Sequence, residues 1–251
     1  MSGHSKWSTI KRKKGALDAK RGRLFTQLAR AITISAREGG GDPDVNFNLR
    51  LAIDKARANN MPKDNIERAI KRGTGEDKDG AAFEKLIYEA YAPNGVALII
   101  ETVTDNRNRT VANLRHVLNK SGGNLGEGGS VAWQFTPKAY FTFSAEGHDE
   151  DDIFELAVEA GADDVLFSEE TIEIVGAPDS FKEISDRLRS AAIQTDEAAL
   201  RMFPNQEMEL DVDKTLQVMR VIEDLEELDD VQKIDSNLAI TDAALEKLAV
   251  V

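Results

Sequence analysis

From Asp18 to Glu38, Leu24, Leu28, Ala31, Ile32 and Ser35 fall on one face at helical spacing, and Gly39, Gly40 and Gly41 supply the stop. Arg23, Arg30 and Arg37 recur every seven residues, forming a stripe roughly opposite that apolar face, with Ile34 intruding on the polar side. A second helix is expected from Val45 to Ala58, with Leu49, Ala52, Ile53 and Ala56 inward and Asn59 and Asn60 ending it. A third follows, with Pro62 in its first turn, Ile66, Ala69 and Ile70 on its buried edge and Gly73 closing it. Ahead of these, Met1 to Gly15 is polar, basic and without hydrophobic period, which predicts a mobile arm. Behind them, the glycine-punctuated polar stretch 73–80 reads as an interdomain linker.

Beyond Gly80 the period shortens. Strands are expected at Ile87–Tyr91 and Val96–Thr104, then a helix over Thr110–Lys120 and a strand at Val131–Phe135. A second series follows: strand Tyr140–Phe143, helix Glu150–Ala160, strands Asp164–Phe167 and Thr171–Val175, helix Ser180–Ala191 and strand Leu200–Phe203. This βαββαβ order is that of a ferredoxin-like domain, with two helices over one face of an antiparallel sheet. The tail offers a strand at Met208–Val212, a helix over Lys214–Leu228 and a strand around Val231–Asp235, too little to bury a core alone. It is expected to complete the Ile87–Phe135 segment. The predicted fold class is therefore α+β. A three-helix domain (1–78) precedes two α+β domains, a discontinuous βαβ-rich one (79–136 plus 206–251) and a ferredoxin-like one (137–205) inserted into it.

Composition supports packed cores: of 251 residues, 41% are hydrophobic and 31% charged. The longest uncharged apolar run, Ala90–Ile100, carries Pro93, Asn94 and Gly95 and is far short of the roughly 20 residues that span a bilayer, so no membrane partner is expected. Zero cysteines exclude disulfides, thiolate nucleophiles and Cys-ligated metals, and no apolar stretch follows the N-terminal charges as in a secretory signal. A cytoplasmic location is expected.

The net charge of −13 conceals a partition. Residues 1–72 hold 17 Lys and Arg against 7 Asp and Glu, while the remainder holds 15 against 38. A basic head on an acidic body is the electrostatic footprint of a chain that touches polyanions with one end. Within that head, Gly3-His4-Ser5-Lys6-Trp7 is followed by Lys11-Arg12-Lys13-Lys14 and by Asp18-Ala19-Lys20-Arg21-Gly22-Arg23. Such cations neutralise phosphates and release counterions, and Trp7 either stacks on an exposed base or docks on the bundle.

These motifs occur with Gly39-Gly40-Gly41-Asp42-Pro43, Asn59-Asn60-Met61-Pro62, Ile66-Glu67-Arg68-Ala69-Ile70, Tyr88-Glu89, Thr104-Asp105-Asn106-Arg107-Asn108-Arg109-Thr110 and Gly122-Gly123-Asn124-Leu125-Gly126 with Gly129-Ser130-Val131. In this order, and over nearly the whole chain, they resemble the YebC/PmpR family. The resemblance implies a cytoplasmic, three-domain protein without enzymatic activity. Some members are described as DNA-binding transcriptional regulators, whereas others resemble ribosome-associated factors that ease synthesis of difficult stretches such as proline runs.

Other motifs are read against simpler alternatives. Asp105–Thr110, between a strand and a helix, is either a turn with Thr110 near the helix N-cap or a phosphate-holding corner with two arginines. The glycines of 122–129 lack the Gly-Lys-Ser/Thr of a nucleotide loop and give either a turn with positive φ or a backbone surface close to a partner. The acidic run 223–230 lacks calcium-loop spacing and reads as a solvated helix face. His4, His116 and His148 are too scattered for a zinc site or a triad, and no carboxylate pair stands out for hydrolysis.

The expectation is a non-enzymatic, nucleic-acid-binding regulator of gene expression; the alternative is a ribosome-associated translation factor on ribosomal or transfer RNA. The third helix offers only Lys63, Arg68, Lys71 and Arg72 as cations, which makes duplex base readout weak, whereas the glycine-punctuated basic arm with its one aromatic suits threading into structured RNA. Expected nucleic-acid contacts are His4, Ser5, Lys6, Trp7, Lys11, Arg12, Lys13, Lys14, Lys20, Arg21, Arg23 and Arg30, with Asn106, Arg107, Asn108 and Arg109. Partners are DNA or ribosomal RNA and, in the alternative, the ribosome; no cofactor, metal, catalytic residue or small-molecule substrate is expected.

Overall fold

The computed structural model describes residues 3, 4, 6, 7, 10, 18–76 and 83–250. They divide into two compact units: Gly15–Ala132 with Gln217–Ile234, and Trp133–Leu216 with Asp235–Val251 and the described residues among the first fourteen. The first unit opens with helices α1 (Asp18–Gly39), α2 (Phe47–Ala58) and α3 (Lys63–Gly73). Leu28, Ile32 and Ala36 of α1 share a core with Leu49, Ile53 and Ala56 of α2 and Ile66 and Ala69 of α3. The corner between α1 and α2 is tied by Asn46, whose side chain accepts from Leu49 N–H and donates to the carbonyls of Ser35 and Gly40, each at 2.7 Å. Its 6% exposure makes those bonds obligatory. Gly73 is required by close approach: a Cβ there would meet the Thr33 carbonyl oxygen at 2.4 Å.

Ile34, the apolar residue on the polar side of α1, is buried with Phe83 and Val103 in a second small cluster. Helix α1 is thus covered on two sides. Val103 belongs to a sheet of four strands in the order β3-β1-β2-β8: β1 (Glu84–Tyr91), β2 (Ala97–Thr104), β3 (Asn124–Leu125) and β8 (Val231–Ser236). Strands β1 and β2 form an antiparallel hairpin with Glu84 opposite Thr104. Helix α4 (Arg107–Ser121) buries Thr110, Leu114 and Leu118, one every turn.

The second unit contains β4 (Phe135–Ser144), α5 (Glu150–Glu159), β5 (Ala162–Phe167), β6 (Thr171–Gly176), α6 (Phe181–Ser190) and β7 (Glu197–Pro204). Its strands run in the order β5-β6-β4-β7, every pair antiparallel, which is the ferredoxin-like arrangement expected from βαββαβ. Helix α6 lays Phe181 on Phe141 of β4, ring centroids 4.7 Å apart. The fold class is α+β, with helices first and two sheets after them, and one sheet takes its strands from both sides of the other in sequence.

Four local expectations are corrected. Residues 131–134 are not a strand, because the N–H groups of Val131 and Ala132 donate to the Glu89 carboxylate instead of a ladder; β4 starts at Phe135 and runs unbroken to Ser144. Met208–Val212 makes a single parallel bridge, Met208 to Leu238, after which the Asp211 carboxylate accepts from Lys214 N–H and starts helix α7 (Val212–Glu226). A final helix, α8 (Asp242–Val250), went unpredicted; its start is capped by Thr241, whose hydroxyl accepts from Ala244 N–H. Lastly, Gly3, His4, Lys6, Trp7 and Ile10 are helical rather than part of a mobile arm. Trp7 is 4% exposed, the burial of a large apolar side chain outweighing the surrounding charge.

Candidate nucleic-acid interface

Two of the three arginines in the α1 stripe, Arg23 and Arg30, meet carboxylates, and the third, Arg37, is exposed. Arg30 places its guanidinium 2.7 Å from Asp230 Oδ1, and Arg23 lies 3.2 Å from Glu227. Arg37 donates to the Phe83 carbonyl at 2.6 Å. Gln27 donates to the Glu226 carbonyl, and Arg30 also to that of Asp229. The turn that follows α7 therefore neutralises this face of α1. Asp230 is its centre: only 5% of its side chain is exposed, and it also accepts from Arg109 at 2.9 Å and from the Thr110 hydroxyl at 2.8 Å. The reading of 223–230 as a solvated helix face holds within α7, where Asp224 is exposed and Leu225 is buried, and is corrected beyond it, since α7 ends at Glu226 and Asp230 is buried.

The corner 105–110 has the same character. Helix α4 begins at Arg107, three residues before Thr110, and its cap is Asn106, whose side chain accepts from Arg109 N–H. Arg109 bonds Asp105 at 2.7 Å as well as Asp230, and this holds the Asp105 carboxyl below its ordinary pKa. Thr110 bridges Asp230 and the Thr104 hydroxyl. All four residues expected to hold phosphate are exposed, but Asn106 caps the helix, Arg109 pairs with Asp105 and Asp230, and Arg107 interacts with the Tyr88 hydroxyl.

The glycine loop is also occupied from within. Glu89 on β1 accepts from Gly129 N–H and Val131 N–H, both at 2.6 Å, and from Ala132 N–H at 2.8 Å. Burial opposes ionisation of this carboxyl, but the three donors prevail and lower its pKa. Backbone amides that would otherwise suit a phosphate are filled by the chain's own carboxylate.

In the second unit, His4 bonds the Leu238 carbonyl at 2.7 Å and meets Trp7 edge to face. Burial pulls the His4 pKa down to about 4, so the ring is neutral at pH 7 and contributes no charge toward phosphate. Lys6 pairs with the exposed Asp242 at 2.9 Å. Ser5 and Lys11, Arg12, Lys13 and Lys14 lie outside the described residues, as does the side chain of Lys20. Arg21 is exposed and packs over the Phe25 ring, 5.5 Å from its centroid.

Helix α3 carries what the sequence reading passed over. Arg68, Lys71 and Arg72 are exposed, and among the described residues none forms an ion pair. Asn65, Arg68 and Arg72 stand one turn apart on one face, a signal legible in the sequence had the cations been sought as a phosphate edge rather than as a recognition helix. They border a cleft of about 460 Å³ between α1 and α3. Among the described residues no three His, Asp or Glu are grouped to hold a metal, and no helix is long and apolar enough to cross a membrane.

The same chain order is found in known proteins. Residues 5–76 match the model of the TACO1/YebC protein N-terminal domain, and residues 83–238 that of the TACO1/YebC second and third domain. The chain belongs to the TACO1/YebC family. Family relatives include a probable transcriptional regulatory protein of Borrelia turicatae, 51% identical over 96% of this chain and 99% of that protein. One of the same description from Syntrophus aciditrophicus is 48% identical over 99% of this chain and 100% of its own length. Among solved structures, a conserved hypothetical protein of Aquifex aeolicus superposes with a TM-score of 0.82 at 42% identity, covering 90% of this chain and 93% of that one. The TACO1/YebC fold thus extends over both units.

Proposed function

We propose that this protein is a non-enzymatic, nucleic-acid-binding regulator of gene expression acting in the cytoplasm. The observation that carries the reading is the row of exposed cations on α3, unpaired among the described residues, within a head that holds 17 Lys and Arg against 7 Asp and Glu. The relatives described as probable transcriptional regulatory proteins support the regulatory role. In this reading Lys11, Arg12, Lys13, Lys14, Lys20 and Arg21 of the expected set, with Arg68, Lys71 and Arg72, make the phosphate contacts, and Arg23 and Arg30 hold the acidic turn instead. Residues 1–78 act as the binding domain, and the acidic remainder, divided as 79–136 with 206–251 and 137–205, repels nonspecific coating of nucleic acid.

Salt titration of binding tests this directly. Each phosphate contact contributes about −0.9 to the log-log slope on duplex and about −0.7 on a single strand. Neutralising Lys11, Arg12, Lys13, Lys14, Lys20 and Arg21 together should flatten the slope by several contacts, and an unchanged slope would remove the head as the binding element. Ultraviolet cross-linking in growing cells then gives the target: reads at short motifs upstream of genes fit a transcription regulator, and reads concentrated on ribosomal or transfer RNA replace that role with one in translation.

A further inference from the structure

The cleft between α1 and α3 has a two-part lining. Its floor is apolar: Ala29 from α1, Ala69 from α3, Met61 ahead of α3, and the Phe83 ring. Its rim is polar, with Arg68, Arg72 and Asn65 from α3 and Thr26 and Arg30 from α1, and with Asp105, whose carboxylate is engaged by Arg109. The two helices are pinned at one end, where Gly73 meets Thr33 and the Thr33 hydroxyl bonds the Ala69 carbonyl at 3.1 Å. The cleft runs from Phe25 and Asn65 up to that contact, at Thr33, Ala69 and Arg72. At about 460 Å³ it falls within the roughly 300–1,000 Å³ typical of ligand sites. The Arg72 guanidinium sits 5.1 Å from the centroid of Phe83 and holds positive charge beside the apolar floor, while that of Arg30, 5.5 Å from the same centroid, is already paired with Asp230.

A duplex presents phosphates outward and keeps its bases stacked, so it would use the rim and leave the floor empty. A flat, apolar group flanked by anionic charge matches both parts. We infer that the cleft receives one unpaired nucleotide of a single-stranded nucleic acid, its base on the Ala29–Ala69–Phe83 floor and its flanking phosphates at Arg68 and Arg72. Asn65 is placed to hydrogen-bond a base edge, since an amide offers both donor and acceptor. This rests on the nucleic-acid reading above and adds to it the strand state of the target.

The test is fluorescence anisotropy of the full chain with a labelled twelve-nucleotide single strand, as RNA and as DNA, and with the corresponding duplex, over a range of salt. Two variants probe the two parts of the cleft: Ala29→Leu fills the floor and removes no charge, and Arg68→Gln removes one rim cation; thermal unfolding verifies that each is folded. Single-strand affinity should fall about tenfold in Ala29→Leu with the salt slope unchanged. Arg68→Gln should weaken binding and flatten the slope by about 0.7. Duplex affinity should be insensitive to Ala29→Leu. If both folded variants bind the single strand as the unaltered chain does, the cleft is overturned as a nucleotide site while the nucleic-acid reading stands. If the unaltered chain binds neither strand nor duplex, that reading fails as well. Free mononucleotide competing as strongly as the strand would overturn the assignment to a strand in favour of a small-molecule site.

Discussion

Helices α1 and α3 carry similar cations and use them in opposite ways. On α1, Arg23 and Arg30 lie against Glu227 and Asp230; on α3, Arg68, Lys71 and Arg72 are exposed, with no ion pair among the described residues. In the sequence the α1 stripe, regular at every seventh residue, is the more conspicuous. The difference teaches that periodic charge predicts a charged partner but not its identity. A carboxylate from residue 230 answers the requirement of Arg30 as well as a phosphate would, and only the fold reveals which anion is present.

The sharpest way to break the comparison is to remove that anion. Asp230→Ala strips the partner from Arg30, whose side chain is 13% exposed, and from Arg109 and Thr110. Leaving a buried charge uncompensated costs about 3–5 kcal/mol, which urea unfolding should read as a lower midpoint at unchanged slope. A loss under 1 kcal/mol would mean that the α1 arginines do not depend on the acidic turn. Next in size is Ile34→Ala, which hollows the cluster with Phe83 and Val103 on the far side of α1. About 2–3 kcal/mol is expected from the deleted methyl groups and the cavity left behind, again measured by urea unfolding.

Much of the fold was legible for a physical reason: the helices of the head and the βαββαβ series are specified by local period and by glycine stops. Ile34 shows where legibility ends, since its intrusion on the polar face was visible but its partners lie 49 and 69 positions further along the chain. Residues 131–134 were misread because the competing acceptor for their N–H groups is a carboxylate on β1, some forty positions earlier. For the site, charge partition marks the head as the basic region, yet Trp7 is buried in the second unit beside His4, which bonds the Leu238 carbonyl, and Arg30 is paired with Asp230 in the first. Each of those outcomes depends on a contact distant in sequence, which spacing cannot encode.

Glu89 offers a milder test of the same lesson, that an internal anion occupies what looks like a phosphate site. Glu89→Gln retains one acceptor for three N–H groups and should cost about 1–2 kcal/mol. The depressed pKa fixes the pH dependence: the stabilisation is present above the ordinary glutamate value of 4.5 and is lost as pH falls through the lower folded value. Urea midpoints measured from pH 6 down to 3 should therefore decline more steeply in the unaltered chain than in Glu89→Gln. Parallel curves would show that the loop amides do not rely on the charged carboxylate.

The smallest effect is the one that sharpens the comparison most. Arg23→Gln removes an arginine whose Glu227 partner is half exposed, so stability should change by no more than about 0.5 kcal/mol. Arg68→Gln removes an exposed arginine on α3 and should be equally mild in unfolding. The two should separate in nucleic-acid binding. If Glu227 occupies Arg23, Arg23→Gln leaves the log-log salt slope where it was, while Arg68→Gln flattens it by one contact, about 0.7 to 0.9 according to strand state. Equal flattening by both would mean that phosphate displaces Glu227 from Arg23 on binding, and that the two helices differ only until the polyanion arrives.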